Sequence, residues 1–552
     1  MRHAAMYYEA EGYVTSGEKL MGRQAAGEGF LRAAARSGAA RLACHAVDLK
    51  SAQHFGTQLK RHGFGGQVGW IPTADPAALQ MEGTLYMPGP ELTEFAWRRA
   101  PSGDRLYSLC GITHTTASHI AMTAIVDLLT APVRSWDALI CTSTSVRDTV
   151  RFLLERQADY LRMRLGACRF ELPQLPMIPL GVHCDDYAFS ADERTKARQA
   201  MDIAEDEVVV LFVGRLSFHA KAHPLQMYTA LERAARGRKV RLVQCGWFAN
   251  APIEAAFKDG ASILCPSVAT DYVDGRDVQA RRKAWAAADI FFSLSDNIQE
   301  TFGLTPIEAM AAGLPVIVTD WDGYKDTVRD GVDGFRIPTV MPPAPLGEEF
   351  ARRHERGQDN YDIYCGYTSQ LVAVDPQALE NACLRLIEDP ALRRRMGDTG
   401  RQRARQDYDW SVIYGRYQAL WDDLAERRRA DPELHPSSRI ASRPDRPDPF
   451  AAFAGYPTSV LSDRHLVMPL AGCDLAVRRN LGMNNFATSI HLNETECATI
   501  LSLLTERSPR TVQEIVSAFP AAQRQSIARG LAWMAKMEAI HIVPPKPDSA
   551  AA

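Results

Sequence analysis

Two glutamates, Glu300 and Glu308, bracket the run E-T-F-G-L-T-P-I-E, and this segment holds the strongest concentration of potential chemistry in the chain. It follows the apolar, strand-like run Ile290–Leu294 and opens a helical pattern. Thr305 suits the cap of that helix, Pro306 its first position and Glu308 its third, with Gly313 ending it. The backbone N–H groups around Gly303, Leu304 and Thr305 would then leave the C-terminal edge of a strand, where α/β folds bind ligands. Unbonded N–H groups at a helix start suit phosphate. Each glutamate also has a plain reading: Thr305-x-x-Glu308 is a capping box, and Glu300 is a solvated loop carboxylate. The pair with Phe302-Gly303 between them, followed by A-M-A-A-G-L-P-V-I-V, exceeds what capping requires.

A second cluster is basic. Val213-Gly214-Arg215-Leu216 follows the apolar run Val208–Val213, and Lys221 comes soon after; by themselves these are two solvated cations in a loop. His114, in G-I-T-H-T, follows the run Leu106–Cys110. It reads either as a site residue or as a buried, satisfied histidine, and His119 competes with it for the first role. The loop Ser16–Gly22 carries glycines that allow close backbone approach, and Gly22 reads equally as a plain turn. Asp320-Trp321-Asp322 and Asp407-Tyr408-Asp409 match a D-x-D metal motif, a tripeptide that is common by chance.

The elements that must position these residues alternate between strand and helix. Ala4–Tyr8, Arg41–His45, Gln67–Ile71, Gly83–Met87, Leu106–Cys110, Ala138–Thr142 and Met177–Leu180 read as strands, with helical stretches such as Arg23–Arg36, His119–Leu129 and Thr144–Asp159 between them. The pattern restarts with Val208–Val213, Arg241–Cys245, Ser262–Cys265, Ile290–Leu294 and Pro315–Thr319. These runs are nearly all apolar, as strands covered on both faces should be. Two α/β units therefore meet near Phe189–Glu205. Three long helical segments follow, Pro376–Glu388, Ala391–Gln406 and Trp410–Arg428.

The run Ser293–Pro338 resembles the donor-site signature of retaining glycosyltransferases of family 4, which have the GT-B fold. That family has glutamates at this spacing, F-G between them, E-A-M-A-x-G-x-P-V-I after them, and a closing D-G-x-x-G, here Asp330-Gly331-Val332-Asp333-Gly334. The resemblance covers roughly Met1–Glu426 and is strongest from Val208 onward. It implies two Rossmann-like, doubly wound domains facing a cleft, residues 1–190 on the acceptor side and 191–429 on the donor side. Glu300 would face the donor sugar and Glu308 the ribose hydroxyls, with Gly214, Phe302, Gly303, Leu304 and Thr305 completing the donor site. Arg215 and Lys221 are similar to the family's G-R-L…K and would hold the leaving diphosphate. The Arg-to-Lys spacing is one residue longer here, and Ala222-His223-Pro224 replaces the usual glycine. Gly22 would lie near donor phosphate and acceptor, and His114 near the reacting sugar.

The implied reaction moves a sugar from a nucleoside diphosphate to a glycan, lipid-linked or other acceptor, with retention of configuration. Fixed cations stabilise the charge on the departing diphosphate without reorganisation, so no metal and no cofactor beyond the co-substrate are expected. A sugar-nucleotide epimerase of the same fold is the alternative enzyme.

Residues 430–455 read as a linker: Glu426–Pro449 holds five prolines and six arginines in 24 residues. Beyond it, 456–552 reads as a small α+β module, with helices Glu494–Glu506, Thr511–Phe519 and Ala521–Glu538 and the strand Ile540–Val543 giving a winged-helix-like outline. His491–Glu496 and Arg510–Ile515 resemble small winged-helix modules that bind leader peptides in peptide-modifying systems, which implies a protein or peptide partner. A docking or dimerising domain of a polysaccharide enzyme and a DNA-binding regulator are the other readings. Six Lys/Arg against six Asp/Glu from Ile490 to Ala552 argue against nucleic acid.

Composition agrees with a globular protein: 46% apolar, 23% charged, formal charge −3. The eleven cysteines show no C-x-x-C pair and read as buried thiols in a reducing compartment. With no signal-peptide pattern and no membrane-length apolar run, a cytoplasmic location is expected. The basic, partly apolar run Arg147–Arg169 reads either as a solvated helix face or as a peripheral contact with the inner membrane face.

Overall fold

A computed structural model describes residues 3–14, 22–432, 443–504 and 509–545. The chain forms two compact units, Met1–Arg443 and Pro444–Ala552.

In the first unit, β1 (Ala5–Tyr7), β2 (Arg41–Ala46), β3 (Gln67–Pro72), β4 (Thr84–Tyr86), β5 (Ser108–Ile112) and β6 (Ala138–Ile140) form a parallel sheet in the order β3-β2-β1-β4-β5-β6. Helices α1 (Gly22–Ala35), α2 (Leu49–Arg61), α3 (Leu92–Arg99), α4 (His119–Val126) and α5 (Thr144–Leu165) accompany them. Strands β4, β5 and β6 are buried at every residue, which is why they read as unbroken apolar runs.

A second parallel sheet repeats the plan: β7 (Val208–Val213), β8 (Val240–Gly246), β9 (Ala269–Asp274), β10 (Ile290–Ser293), β11 (Val316–Thr319) and β12 (Gly334–Ile337) in the order β12-β11-β10-β7-β8-β9. Its helices are α6 (Ala191–Ala200), α7 (Leu225–Ala235), α8 (Ala251–Leu264), α9 (Val278–Ala287), α10 (Leu304–Ala312) and α11 (Tyr324–Thr327). In both sheets the strand order reverses between the first and fourth strands. Ligands of doubly wound sheets bind at such switch points, outside the carboxyl ends of the strands. In the second half that position falls at the loops after β7 and β10.

Two strand expectations need correction. Ser262–Cys265 is not a strand but the end of α8, and Cys265 is buried there as the helix terminates. The strand of that region is β9, an edge strand of sequence A-T-D-Y-V-D whose residues are half-buried or exposed, so it lacks the apolar signature. Met177–Leu180 forms only a single bridge, Met177 to Cys141, with Ile178 N–H donating to the Cys141 carbonyl at 3.1 Å.

After β12 the chain makes an antiparallel pair, β13 (Thr339–Val340) with β14 (Ala373–Val374), enclosing α12 (Glu348–Glu355) and α13 (Tyr361–Ser369). Helices α14 (Pro376–Glu388), α15 (Pro390–Arg403) and α16 (Trp410–Ala430) follow. Aspartates cap all three through N–H groups one or two residues into each helix. Helix α16 returns to the first sheet. Arg428 donates to the Gly83 carbonyl and the Ser108 hydroxyl, while Tyr417 and Trp421 pack edge-on or tilted against Tyr86.

In the second unit, β15 (Leu466–Pro469), β16 (Arg510–Thr511) and β17 (Ile540–Val543) form an antiparallel sheet in the order β16-β15-β17. Helices Glu494–Leu503, Val512–Ser517 and Arg524–Lys536 pack on it around Val467, Ile500, Ile515, Ile527, Leu531 and Met534. Asn493 with Glu496 and Thr511 with Glu514 each make a reciprocal capping box. Residues 433–442, inside the expected linker, lie outside the described residues.

Candidate functional site

The loops after β7 and β10 are stitched together. Arg215 donates to the Ala220 carbonyl at 2.8 Å, closing the loop after β7 on itself. Asn297 donates to the His219 carbonyl at 2.9 Å, Ser295 to the Lys221 carbonyl at 3.3 Å, and Gln299 to the Ala220 carbonyl. The ammonium of Lys221 donates to the carboxylate of Glu300. Burial alone would depress the Lys221 pKa; the Glu300 carboxylate and the nearby Tyr324 outweigh it and hold the pKa above the usual lysine value. The extra residue between Arg215 and Lys221 is absorbed within the loop, and the lysine still reaches the carboxylate.

Helix α10 begins earlier than its sequence suggests. Gly303 is the N-cap, at φ +82°, and Leu304 is the first helical residue. A Cβ on Gly303 would lie 2.0 Å from the Tyr324 ring, so both the backbone angle and the space demand glycine. Thr305 is therefore not the cap, and its buried hydroxyl has no hydrogen-bond partner. Pro306 stands third in the helix, where its missing N–H is still harmless, and the expected Thr305–Glu308 capping box is not made. No side chain caps α10. Phe302 is core, buried and packed against Tyr408, and Leu304 is half-buried. Glu308 sits one turn on, half-buried beside Tyr187. Burial raises its pKa, while the Tyr187 hydroxyl and the charges of Arg281 and Lys221 pull it back.

The first half meets this segment through Thr301. The Thr301 hydroxyl donates to the His114 carbonyl at 2.9 Å, and the Thr142 hydroxyl donates to the Thr301 carbonyl at 3.2 Å. Ser143 donates to the Asp322 carboxylate at 2.8 Å, and Thr144 N–H to Asp326 at 2.6 Å. Thus the His114 backbone meets Thr301, the residue after Glu300 of the Lys221–Glu300 pair, where the two halves touch. His119 is exposed at the start of α4 and packs at a tilt against His354 instead. Gly22 is the first residue of α1; the rest of its loop, 15–21, lies outside the described residues.

Burial pushes the His114 pKa down to about 4. It does the same for His45 and His183. A histidine held neutral in the fold contributes stability that is present above its unfolded pKa, near 6.5, and lost as pH falls toward the folded value. These histidines therefore pull the urea midpoint down from pH 6.5 to pH 4, and His114→Asn is expected to remove its share of that pull. An unchanged slope in the variant would place the His114 ring in water.

Several site residues escaped sequence reasoning. Asp296 is buried, with one carboxylate oxygen unpartnered and a pKa raised to about 7 by burial. Asp322 is raised to about 7 by burial and by Glu300, against the Ser143 hydrogen bond. Tyr324 hydrogen-bonds Ser293 at 2.9 Å beneath the Lys221–Glu300 pair. Only Asp322 had a visible signal, its D-x-D tripeptide. The other D-x-D carboxylates have protein partners: Asp320 approaches Arg336, Asp407 pairs with Arg403, and Asp409 caps α16. Among the described residues, no group of three or more His, Cys, Asp or Glu is placed to hold a metal ion. Asp333, in the closing D-G-x-x-G, is fully buried just before β12 and ion-paired with Arg329 and Arg403.

Residues 193–346, which contain the Arg215–Lys221 loop and the Glu300–Glu308 segment, match a family model. That model describes glycosyl transferases group 1. A D-inositol 3-phosphate glycosyltransferase of Geodermatophilus obscurus is 32% identical over 258 residues, 42% of this chain and 56% of that protein. A phosphatidyl-myo-inositol mannosyltransferase of Mycobacterium leprae is 27% identical over 150 residues, 27% of this chain and 30% of that protein. The chain thus spans about half or less of the curated relatives it matches. The crystal structure of Anabaena Alr3699/HepE in complex with UDP superposes with a TM-score of 0.50 at 18% identity, covering 77% of this chain and 100% of that one. That likeness shows the fold, and the two six-stranded parallel sheets are those of the GT-B class.

Proposed function

We propose that the chain transfers a sugar from a nucleoside-diphosphate donor to an acceptor hydroxyl with retention of configuration. The observation that carries this reading is the Lys221–Glu300 pair, with Arg215 and the uncapped start of α10 beside it at the switch point of the second sheet. The bond between the anomeric carbon and the diphosphate oxygen breaks, and the added negative charge falls where Arg215, Lys221 and the α10 N–H groups converge. The acceptor hydroxyl attacks the same face and passes its proton to the departing phosphate oxygen. Glu300 takes hydroxyls of the donor sugar, and Glu308 takes those of the ribose. The relative solved with UDP makes uridine the first base to test. The inositol-modifying relatives favour a polyhydroxylated acceptor, whether a glycan or a lipid-linked head group.

The test is a thermal-shift panel of UDP-, GDP-, ADP- and TDP-sugars on the full chain. A donor at a hundred times its Kd should add about 2.7 kcal/mol of apparent stability. Glu308→Gln is expected to weaken the selected donor by roughly 1.5–3 kcal/mol, since it removes a charged acceptor for ribose hydroxyls. If no sugar nucleotide shifts the folded protein, or the variant binds as the wild type does, the donor assignment fails. The same panel on a chain ending at Arg443 addresses the second unit, which we assign to recognition of a polypeptide partner or acceptor. Donor affinity should be retained there, with transfer to the natural acceptor impaired. Loss of nucleotide binding in that folded chain would place the module in the donor site instead.

A further inference from the structure

Between β13 and β14 the chain leaves the donor half for residues 341–372 and returns to pair with the strand it left, Thr339 opposite Val374 and Val340 opposite Ala373. This excursion is internally braced. Arg353 holds Asp359 with two hydrogen bonds of 2.8 and 2.9 Å, and Asp359 is buried. The His354 ring is 2.9 Å from the Asp359 carbonyl through Nδ1 and lies flat on Tyr364, centroids 4.7 Å apart.

The braced element touches both halves of the first unit. On the donor side, α13 presses against the loop that carries Lys221. A Cβ on Gly366 would come within 3.1 Å of the His219 Cβ, so a side chain there would push the helix and the loop apart by a few tenths of an ångström. Cys365, next to it, is fully buried. On the acceptor side, the Tyr361 hydroxyl is 3.3 Å from the Thr115 hydroxyl, and the rings of His354 and His119 lie 3.9 Å apart. Thr115 belongs to the loop of His114, and His119 opens α4 directly after it. One rigid piece thus grips the two loops that the chemistry needs in register.

We propose that residues 341–372 form a strap that fixes the acceptor-side loop 113–119 against the donor loop 214–221, with Tyr361 as its positioning residue, and that this closure keeps water from the donor's reacting carbon. The strap rests on the reading of the site as one for sugar transfer. With it in place, the anomeric carbon is shielded until an acceptor hydroxyl occupies the cleft. Without it, water reaches the same carbon, the C–O bond to the diphosphate breaks, and free sugar and nucleoside diphosphate are released.

Two variants of the full chain test this: Tyr361→Phe, and replacement of residues 341–372 by an Asn-Gly turn joining Val340 to Ala373. Hydrogen–deuterium exchange needs no ligand. Loss of the Tyr361 hydroxyl should raise exchange of residues 113–119 about three- to tenfold, the worth of one hydrogen bond, with β1–β4 unchanged. Acceptor-free hydrolysis of the sugar nucleotide selected by the thermal-shift panel should rise by a similar factor, whereas a purely structural defect would lower it. The turn replacement should exceed both effects; if it does not fold, Tyr361→Phe decides. Unchanged exchange at 113–119, or slower hydrolysis, overturns the strap. If no sugar nucleotide binds the wild type, the sugar-transfer reading falls on that result, and exchange alone judges the strap.

Discussion

Lys221→Ala is expected to slow sugar transfer by about a hundredfold or more at saturating donor, the scale lost when one fixed group facing developing charge is removed. The ammonium sits in a half-buried position against Glu300, so water cannot replace it at full strength. The substitution also leaves the Glu300 carboxylate without its partner beside the incoming diphosphate, where like charge repels the donor. Two defects follow from one change, a slower chemical step and weaker donor binding. Lys221→Ala combined with Glu300→Gln should recover part of the binding loss but none of the rate, because the neutral amide ends the repulsion and leaves the departing charge unmet. Initial rates and calorimetric affinities for the two variants separate these effects. Turnover within a few-fold of wild type in Lys221→Ala would move the leaving-group role to Arg215 and the α10 N–H groups.

The second large effect is on stability. Arg99→Ala should cost about 3–5 kcal/mol, the usual consequence of orphaning one member of a buried ion pair. Arg99 and Asp137 are both fully buried, with two parallel hydrogen bonds of 2.7 Å between them. Asp137 also accepts from the N–H groups of Leu109 and Arg134, each at 2.8 Å. It thereby joins the end of α3 to β5 and to the turn before β6. Replacing Arg99 and Asp137 together by leucine should recover only part of the loss, because those two N–H groups would then have no acceptor. Urea unfolding of the chain ending at Arg443, followed by circular dichroism, measures both variants. A loss below about 1 kcal/mol in Arg99→Ala would mean that water enters the site.

Where the sequence was legible, it was because burial on both faces leaves a strong signal. β7, β8, β10 and β11 stood out as apolar runs, and the residues at their carboxyl ends could be named from type and spacing. Edge position erased that signal for β9, whose half-exposed A-T-D-Y-V-D reads as loop. The cap of α10 was misplaced by two residues because Thr305 is the better capping side chain in isolation. The decisive facts, a left-handed Gly303 and the Tyr324 ring against it, involve a residue 21 positions away. The strap left almost no trace. α12 is E-E-F-A-R-R-H-E with no buried residue, and the hold of α13 on the first half lies in pairs such as Thr115 with Tyr361, 246 residues apart. No periodicity reports a contact of that separation.

The return of α16 to the first sheet sets the order in which the molecule can be completed. Phe30 and Tyr86 need Tyr417, and Gly83 and Ser108 need Arg428, yet the whole second sheet is encoded between them. On a translating ribosome at about 5–20 residues per second, the strands up to β6 emerge roughly 15–60 s before α16 does. Through that interval the first half shows nascent apolar surface to chaperones, proteases and other chains, while the second half is synthesised without interruption and is free to fold as a unit. The vulnerable species in production is therefore a chain stalled or truncated before residue 410, with its donor half formed and its first half open. Slower synthesis across codons 140–410 would lengthen that exposure, whereas faster synthesis would shorten it.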